Sequence, residues 1–177
     1  GGDYFDFFPV RGGGYALAIA DVAGKGMGAA LLASMLQASL RTLLQDGTPA
    51  GRVADRVNTM LCESTSPDQF VTLFLAHLDP VSLELVYSNA GHNYPIRIAR
   101  GGGSELLGQS DLVLGIDEGF SYSEHRKTLC RGDTLLLYTD GVTEARDAQG
   151  EEFGEERLAA ILSRWESRPA EEIVKGL

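Results

Sequence analysis

Apolar residues occupy both faces of Tyr15–Val22, the pattern of a strand buried between two layers rather than one half-exposed to water. Gly12-Gly13-Gly14 just before it predicts a hairpin turn back to a strand over Tyr4–Pro9. From Gly26 the period changes to that of a helix. Leu32, Leu36, Leu40 and Leu43 make one stripe, widened by Leu31 and Met35, and the helix runs to about Leu44 before Asp46-Gly47 ends it. Thr48 is placed to cap a second helix with Pro49 at its first position, and Val53, Val57, Met60 and Leu61 mark its buried face.

The middle of the chain reads as antiparallel sheet. Phe70–Leu78 is dense in apolar and β-preferring residues, Asp79-Pro80 turns it, and Leu83–Ser88 returns. Shorter strands are expected at Ile96–Ala99 and Glu105–Leu107 around Gly101-Gly102-Gly103. A last hairpin is expected to pair Ser121–Leu129 with Thr134–Thr139 across Arg131-Gly132-Asp133. The end is helical, with Leu158, Ile161, Leu162 and Trp165 at core spacing. Strands joined by hairpins, with helices inserted in pairs, predict an α+β fold: two stacked antiparallel sheets with helices outside both.

Composition narrows the function. A chain of 177 residues with 44% apolar content suits one globular domain, residues 1–177, with a real core. No apolar run approaches the roughly 20 residues of a membrane span, and no leader of signal-peptide type is present, so a soluble, cytoplasmic domain is expected. Cys62 and Cys130 lack metal-type spacing and are expected to be free buried thiols of a reducing compartment. A net charge of −10 argues against a nucleic-acid surface. It still permits a phosphorylated partner if bound metal reverses the local sign. The chain opens at Gly1 inside a motif and stops at Leu177 inside a helical pattern that includes Ile173 and Val174, so an excised domain is expected.

Asp21 and Asp140 each close an apolar, strand-like run and are followed at once by flexible backbone, Asp140 by Gly141. Each would set a carboxylate at the rim of a sheet, where hard divalent ions find their ligands. The bland reading makes Asp21 a helix cap and the glycines after it an ordinary turn. Gly24-x-Gly26-x-x-Ala29 also matches the dinucleotide fingerprint, but that motif needs a strand directly after its helix and an acidic residue about 20 positions on. Here Asp46 lies in a turn and a second helix follows.

Taken together, Gly1-Gly2-Asp3-Tyr4-Phe5-Asp6, Asp21-Val22-Ala23-Gly24-Lys25-Gly26 with Ala29-Ala30-Leu31, Phe70-Val71-Thr72, Asn89-Ala90-Gly91-His92, Leu114-Gly115-Ile116 and Tyr138-Thr139-Asp140-Gly141-Val142-Thr143-Glu144-Ala145 resemble the SpoIIE/RsbU-type branch of the metal-dependent, protein phosphatase 2C-like Ser/Thr phosphatases. The resemblance covers nearly the whole chain in the correct order. It implies an αββα sandwich holding two Mn²⁺ or Mg²⁺ ions, with Asp21 bridging both, Val22 offering its carbonyl, and Asp3 and Asp140 completing much of the shell. It also implies a further metal-binding Asp in an Asp-Asp-x-Thr-like segment, which these 177 residues do not contain, and a first strand ahead of Gly1.

The implied activity is hydrolysis of phosphoserine or phosphothreonine on a protein, in this branch a STAS-type anti-sigma-factor antagonist. Control by an attached sensory or receiver domain, and assembly as a homodimer, go with it. His92 could protonate the leaving oxygen or fix its loop, and loop-fixing is favoured; Asn89 orients backbone or substrate. Lys25, at the start of the helix, could meet a phosphate oxygen. Asp6 lies three residues along the strand from Asp3 and so points to the opposite face. Two other classes stand beside this reading: a catalytically silent interaction module of the same fold, and a dinucleotide-binding protein.

Overall fold

The structure, a computed structural model, describes residues 2–24, 26–66, 69–165 and 168–176. They form two compact units, Gly1–His92 with Gln109–Thr128, and Asn93–Gly108 with Leu129–Leu177. The first carries a five-stranded sheet. Its strands are β1 (Tyr4–Pro9), β2 (Tyr15–Val22), β3 (Val71–Leu78), β4 (Glu84–Ala90) and, numbered by chain order, β7 (His125–Thr128), in the order β1-β2-β3-β4-β7, every pair antiparallel.

Helices α1 (Met27–Gln45) and α2 (Ala50–Ser64) share one core with one face of that sheet. Ala16, Ala18 and Ala20 of β2 leave a shallow strip, and Leu32, Leu36, Leu40 and Leu44 of α1 are buried in the same cluster. Each such leucine contributes roughly 1.5–3 kcal/mol. The stripe is narrower than its sequence suggests, because Leu31 is 65% exposed. By length and composition α1 could cross a bilayer, contrary to the expectation that no segment comes close. Its buried leucines, and the pairing of Arg41 with Asp6, identify it as a core helix.

Two local expectations fail for physical reasons. Thr48 does not cap α2; Pro49 is the N-cap, with no side-chain hydrogen bond, and its carbonyl accepts the Val53 N–H at 3.0 Å. The Thr48 carbonyl is taken by His77 Nε2 at 3.1 Å. The hairpin between Ser121–Leu129 and Thr134–Thr139 does not form. Carboxylates capture the backbone first, Tyr122 N–H giving to Asp55 Oδ1 at 2.8 Å and Ser123 N–H to Asp111 Oδ2 at 2.6 Å. The strand left over, β7, pairs with β4.

The second unit holds β5 (Ile96–Ile98), β6 (Ser104–Leu106) and β8 (Thr134–Leu136) in the antiparallel order β6-β5-β8. With them go α3 (Asp140–Thr143), α4 (Gly154–Arg164) and α5 (Ala170–Gly176). Its core gathers Ile96, Ile98, Tyr138, Leu158, Leu162 and Ile173, with Trp165 packed against it. Val174, expected in the apolar pattern, is 71% exposed.

Asp133 anchors the turn before β8. It accepts from Arg97 Nε at 2.7 Å, from Cys130 N–H at 2.8 Å and from Arg100 N–H at 3.2 Å. Burial alone would raise its carboxyl; those donors outweigh burial and hold it below the ordinary carboxylate range. Cys130 is exposed, not buried, because that turn carries it outward, and Cys62 is half-buried, its thiol pushed up by burial; neither forms a disulfide.

Candidate active site

Strand register builds the site in the first unit. Tyr4 lies opposite Ala20, and the pairing continues outward to Gly2, whose carbonyl accepts the Val22 N–H at 3.3 Å, so Asp3 falls opposite Asp21. Asp21 is in turn opposite Thr72 on β3. Directly opposed residues of antiparallel strands share a face, so Asp3, Asp21 and Thr72 form one row across the end of the sheet. Their neighbours Tyr4, Ala20 and Val22 point into the helix-covered core, which puts the row on the other face. A Cβ on Gly2 would lie 2.6 Å from the Val22 carbonyl oxygen, so only glycine lets the two strands approach there. Asp6, as expected, faces the opposite way and is held by Arg41 Nε at 2.6 Å.

Beside the row stands the turn after β4. Asn89 is buried and clamps it from both sides: Oδ1 accepts the His92 N–H at 2.8 Å, and Nδ2 donates to the His92 carbonyl at 3.0 Å. The His92 ring is buried and its Nδ1 lies 2.8 Å from Thr72 Oγ1. Gly91 has φ +69°, and a side chain there would collide with Val113, while its N–H gives to Ser110 Oγ at 3.0 Å. Asn89 and His92 thus shape the loop.

Sequence reading passed over Thr72 as a site residue, although its place at the polar end of an otherwise apolar strand was visible. It also passed over Asn58, fully buried on α2 among Val53, Val57 and Leu61. Asn58 Oδ1 accepts the Gly115 N–H at 2.8 Å and its Nδ2 donates to the Asp117 carbonyl at 2.7 Å. Because Leu114 bridges Val71, and Val71 pairs with Val22, this clamp secures the backbone behind Val22.

Asp140 belongs to the second unit. It opens α3 after the Thr139 N-cap, its carbonyl accepting from Glu144 N–H at 2.7 Å and from Thr143 Oγ1 at 3.2 Å, and its side chain is exposed. Gly141 is exposed too, and a Cβ there would make only an ordinary contact, 3.7 Å from Thr139 Oγ1. Lys25 lies outside the described residues. Asp21 is not a helix cap, since Gly26 holds that position for α1.

The first unit's donors, the Asp3 and Asp21 carboxylates and the Val22 carbonyl, are all oxygen, which fits a hard cation such as Mg²⁺ or Mn²⁺ and not a soft one. Among the described residues no group of three His, Cys, Asp or Glu gathers as a metal cluster. The dinucleotide reading fails on topology, because α1 runs into α2 rather than into a parallel strand.

Sheet order, helix placement and the terminal row of carboxylates define a PP2C-type α+β fold. The SiaA-PP2C domain of Pseudomonas aeruginosa has the same fold, with a TM-score of 0.85 over 99% of this chain and 71% of that one at 20% identity. The chain belongs to the SpoIIE family, whose profile, described as Stage II sporulation protein E (SpoIIE), matches residues 11–177. It is 30% identical to the phosphoserine phosphatase RsbU of Bacillus subtilis (strain 168) over 178 aligned residues, 99% of this chain and 52% of that protein. RsbX, solved in complex with magnesium, is similar in fold, with a TM-score of 0.67 at 17% identity over 93% of this chain and 79% of that one. The chain spans about half the length, or less, of the curated relatives it matches.

Proposed function

We propose that this chain is a metal-dependent protein serine/threonine phosphatase domain. The observation that carries the reading is the row of Asp3 and Asp21 across one end of the sheet beside the Asn89–His92 turn, in a member of the SpoIIE family. Asp3, Asp21 and the Val22 carbonyl would hold divalent Mn²⁺ or Mg²⁺, two ions with Asp140 as a further ligand. When bound, such ions supply charge neutralisation for a phosphoryl group and acidify water for attack on it.

The residues' own part is positional. The β1–β2–β3 ladder holds both carboxylates on one face, and the Asn58 clamp steadies the backbone that bears Val22. Asn89 and His92 fix the adjoining turn, which would line the approach of a phosphoserine side chain. The substrate class is a phosphorylated STAS-type antagonist of an anti-sigma factor, the controlling input a sensory or receiver domain, the assembly a homodimer and the location cytoplasmic. The kinship with RsbU, named a phosphoserine phosphatase, supports phosphoserine as the group removed.

The test is release of phosphate from a phosphoserine protein with and without Mn²⁺. Asp21→Asn and Asp140→Asn nearly preserve volume while removing ligand charge, and each is expected to lower turnover by at least about a hundredfold with the fold intact by circular dichroism. Turnover like wild type in both variants, or equal turnover in chelator, would overturn the reading.

A further inference from the structure

The Thr72 hydroxyl has a use that its strand does not require. Val would serve a β-strand equally well, since β-branching is what strand packing favours. Yet Thr72 sits in the row beside Asp21, and its Oγ1 lies 2.8 Å from Nδ1 of the buried His92 ring. The backbone of His92 is already fixed on both sides by Asn89, at 2.8 and 3.0 Å, so the ring is the only part of that residue left to orient. A hydrogen bond at one ring nitrogen fixes which way the ring faces, and a hydroxyl can make it whether that nitrogen carries the proton or not.

We propose that Thr72 is a positioning residue for the phosphatase reaction: its hydroxyl sets the orientation of the His92 imidazole, and so seats the Asn89–His92 turn against the Asp21 end of the sheet. The inference rests on the phosphatase reading for its kinetic consequence, but its structural half does not. Thr72 touches neither substrate nor Asp3 in this account and acts only through His92.

The experiment uses Thr72→Val, which keeps the shape and removes the hydroxyl, and Thr72→Ser, which keeps the hydroxyl. The chain has three histidines, so the ring nitrogens of His92 can be followed by ¹⁵N–¹H spectroscopy of the chelator-treated protein at one fixed pH. Wild type and Thr72→Ser are expected to give the same ring-nitrogen shifts for His92, and Thr72→Val shifted ones. Under Mn²⁺, kcat is expected to fall roughly tenfold in Thr72→Val, about the worth of one hydrogen bond to a buried group, with KM little changed, and to recover in Thr72→Ser. An unmoved His92 ring in Thr72→Val overturns the inference whatever the turnover. So does a moved ring with unchanged kcat. Absence of turnover in wild type sinks the phosphatase reading instead, and the ring spectra still decide the contact.

Discussion

Asp21 is the last residue but one of an eight-residue strand with paired neighbours on both sides, whereas Asp140 opens a four-residue helix soon after a three-residue strand. The first is held by a ladder of backbone hydrogen bonds, each repeating the same geometry, so its direction follows from register alone. The second is held by one turn of helix, whose cap makes no side-chain hydrogen bond. The first unit can rely on sheet regularity and uses buried polar clamps at its loops, Asn58 behind Val22 and Asn89 after β4. With its short strands, the second leans on a single carboxylate, Asp133, to tie Arg97, Arg100 and Cys130 together.

The largest effect should come from Asp133→Ala. The Asp133 side chain is only 3% exposed, and removing it leaves Arg97 with Glu105 alone and takes the acceptor from the Cys130 and Arg100 N–H groups, a loss of about 2–3 kcal/mol. Trp165, the chain's one tryptophan, packs on the second unit's core, and its fluorescence in a urea titration reports that loss. A midpoint like that of wild type would mean the short strands hold themselves.

The same carboxylate gives the comparison a pH axis. Because Asp133 is held below its ordinary range, its contribution is fully present above the unfolded value of about 4 and fades as pH falls through the folded one. The Trp165 signal should therefore lose stability below about pH 4 in wild type, and show a weaker acid dependence in Asp133→Ala.

Asn58→Ala should cost about 2 kcal/mol, because the Gly115 N–H and Asp117 carbonyl lose their partner away from water. Amide exchange at Gly115 and Val22 should rise together. Faster exchange at Gly115 alone would show that the clamp serves only its own loop.

Arg41→Ala is the smallest. Arg41 is 49% exposed, so the loss of its pair with Asp6 should move the midpoint of chemical denaturation only slightly. A larger shift would mean that α1 is pinned to β1 by charge and not by its leucines.

What the sequence made legible follows the length of each signal. The strand Tyr15–Val22, the long helix after it and the Phe70–Leu78 strand announce themselves over eight residues or more, and with them come the positions of Asp21 and Val22. The failures sit where a side chain competes for backbone. Asp55 and Asp111 take the N–H groups of Tyr122 and Ser123 from positions 67 and 12 residues away, which no local pattern can foretell. Thr48 fails as a cap for a different reason: the helix begins at Ala50, which puts Pro49 and not Thr48 in the cap position. Asn58 was readable as a polar residue in an apolar stripe, but its partners were not, because they lie 57 and 59 residues on.

The Gly12-Gly13-Gly14 turn stands at the opposite end of the β1–β2 hairpin from Asp3, yet it acts as the phase setter of that carboxylate. Pro9 pairs with Tyr15, and every later pairing out to Asp3 and Asp21 is counted from there in steps of two faces. A residue added between Tyr4 and Pro9 shifts everything beyond it by half a period, turning Asp3 toward the helices. The far tip of the hairpin is thus the origin of the coordinate system in which the site is drawn.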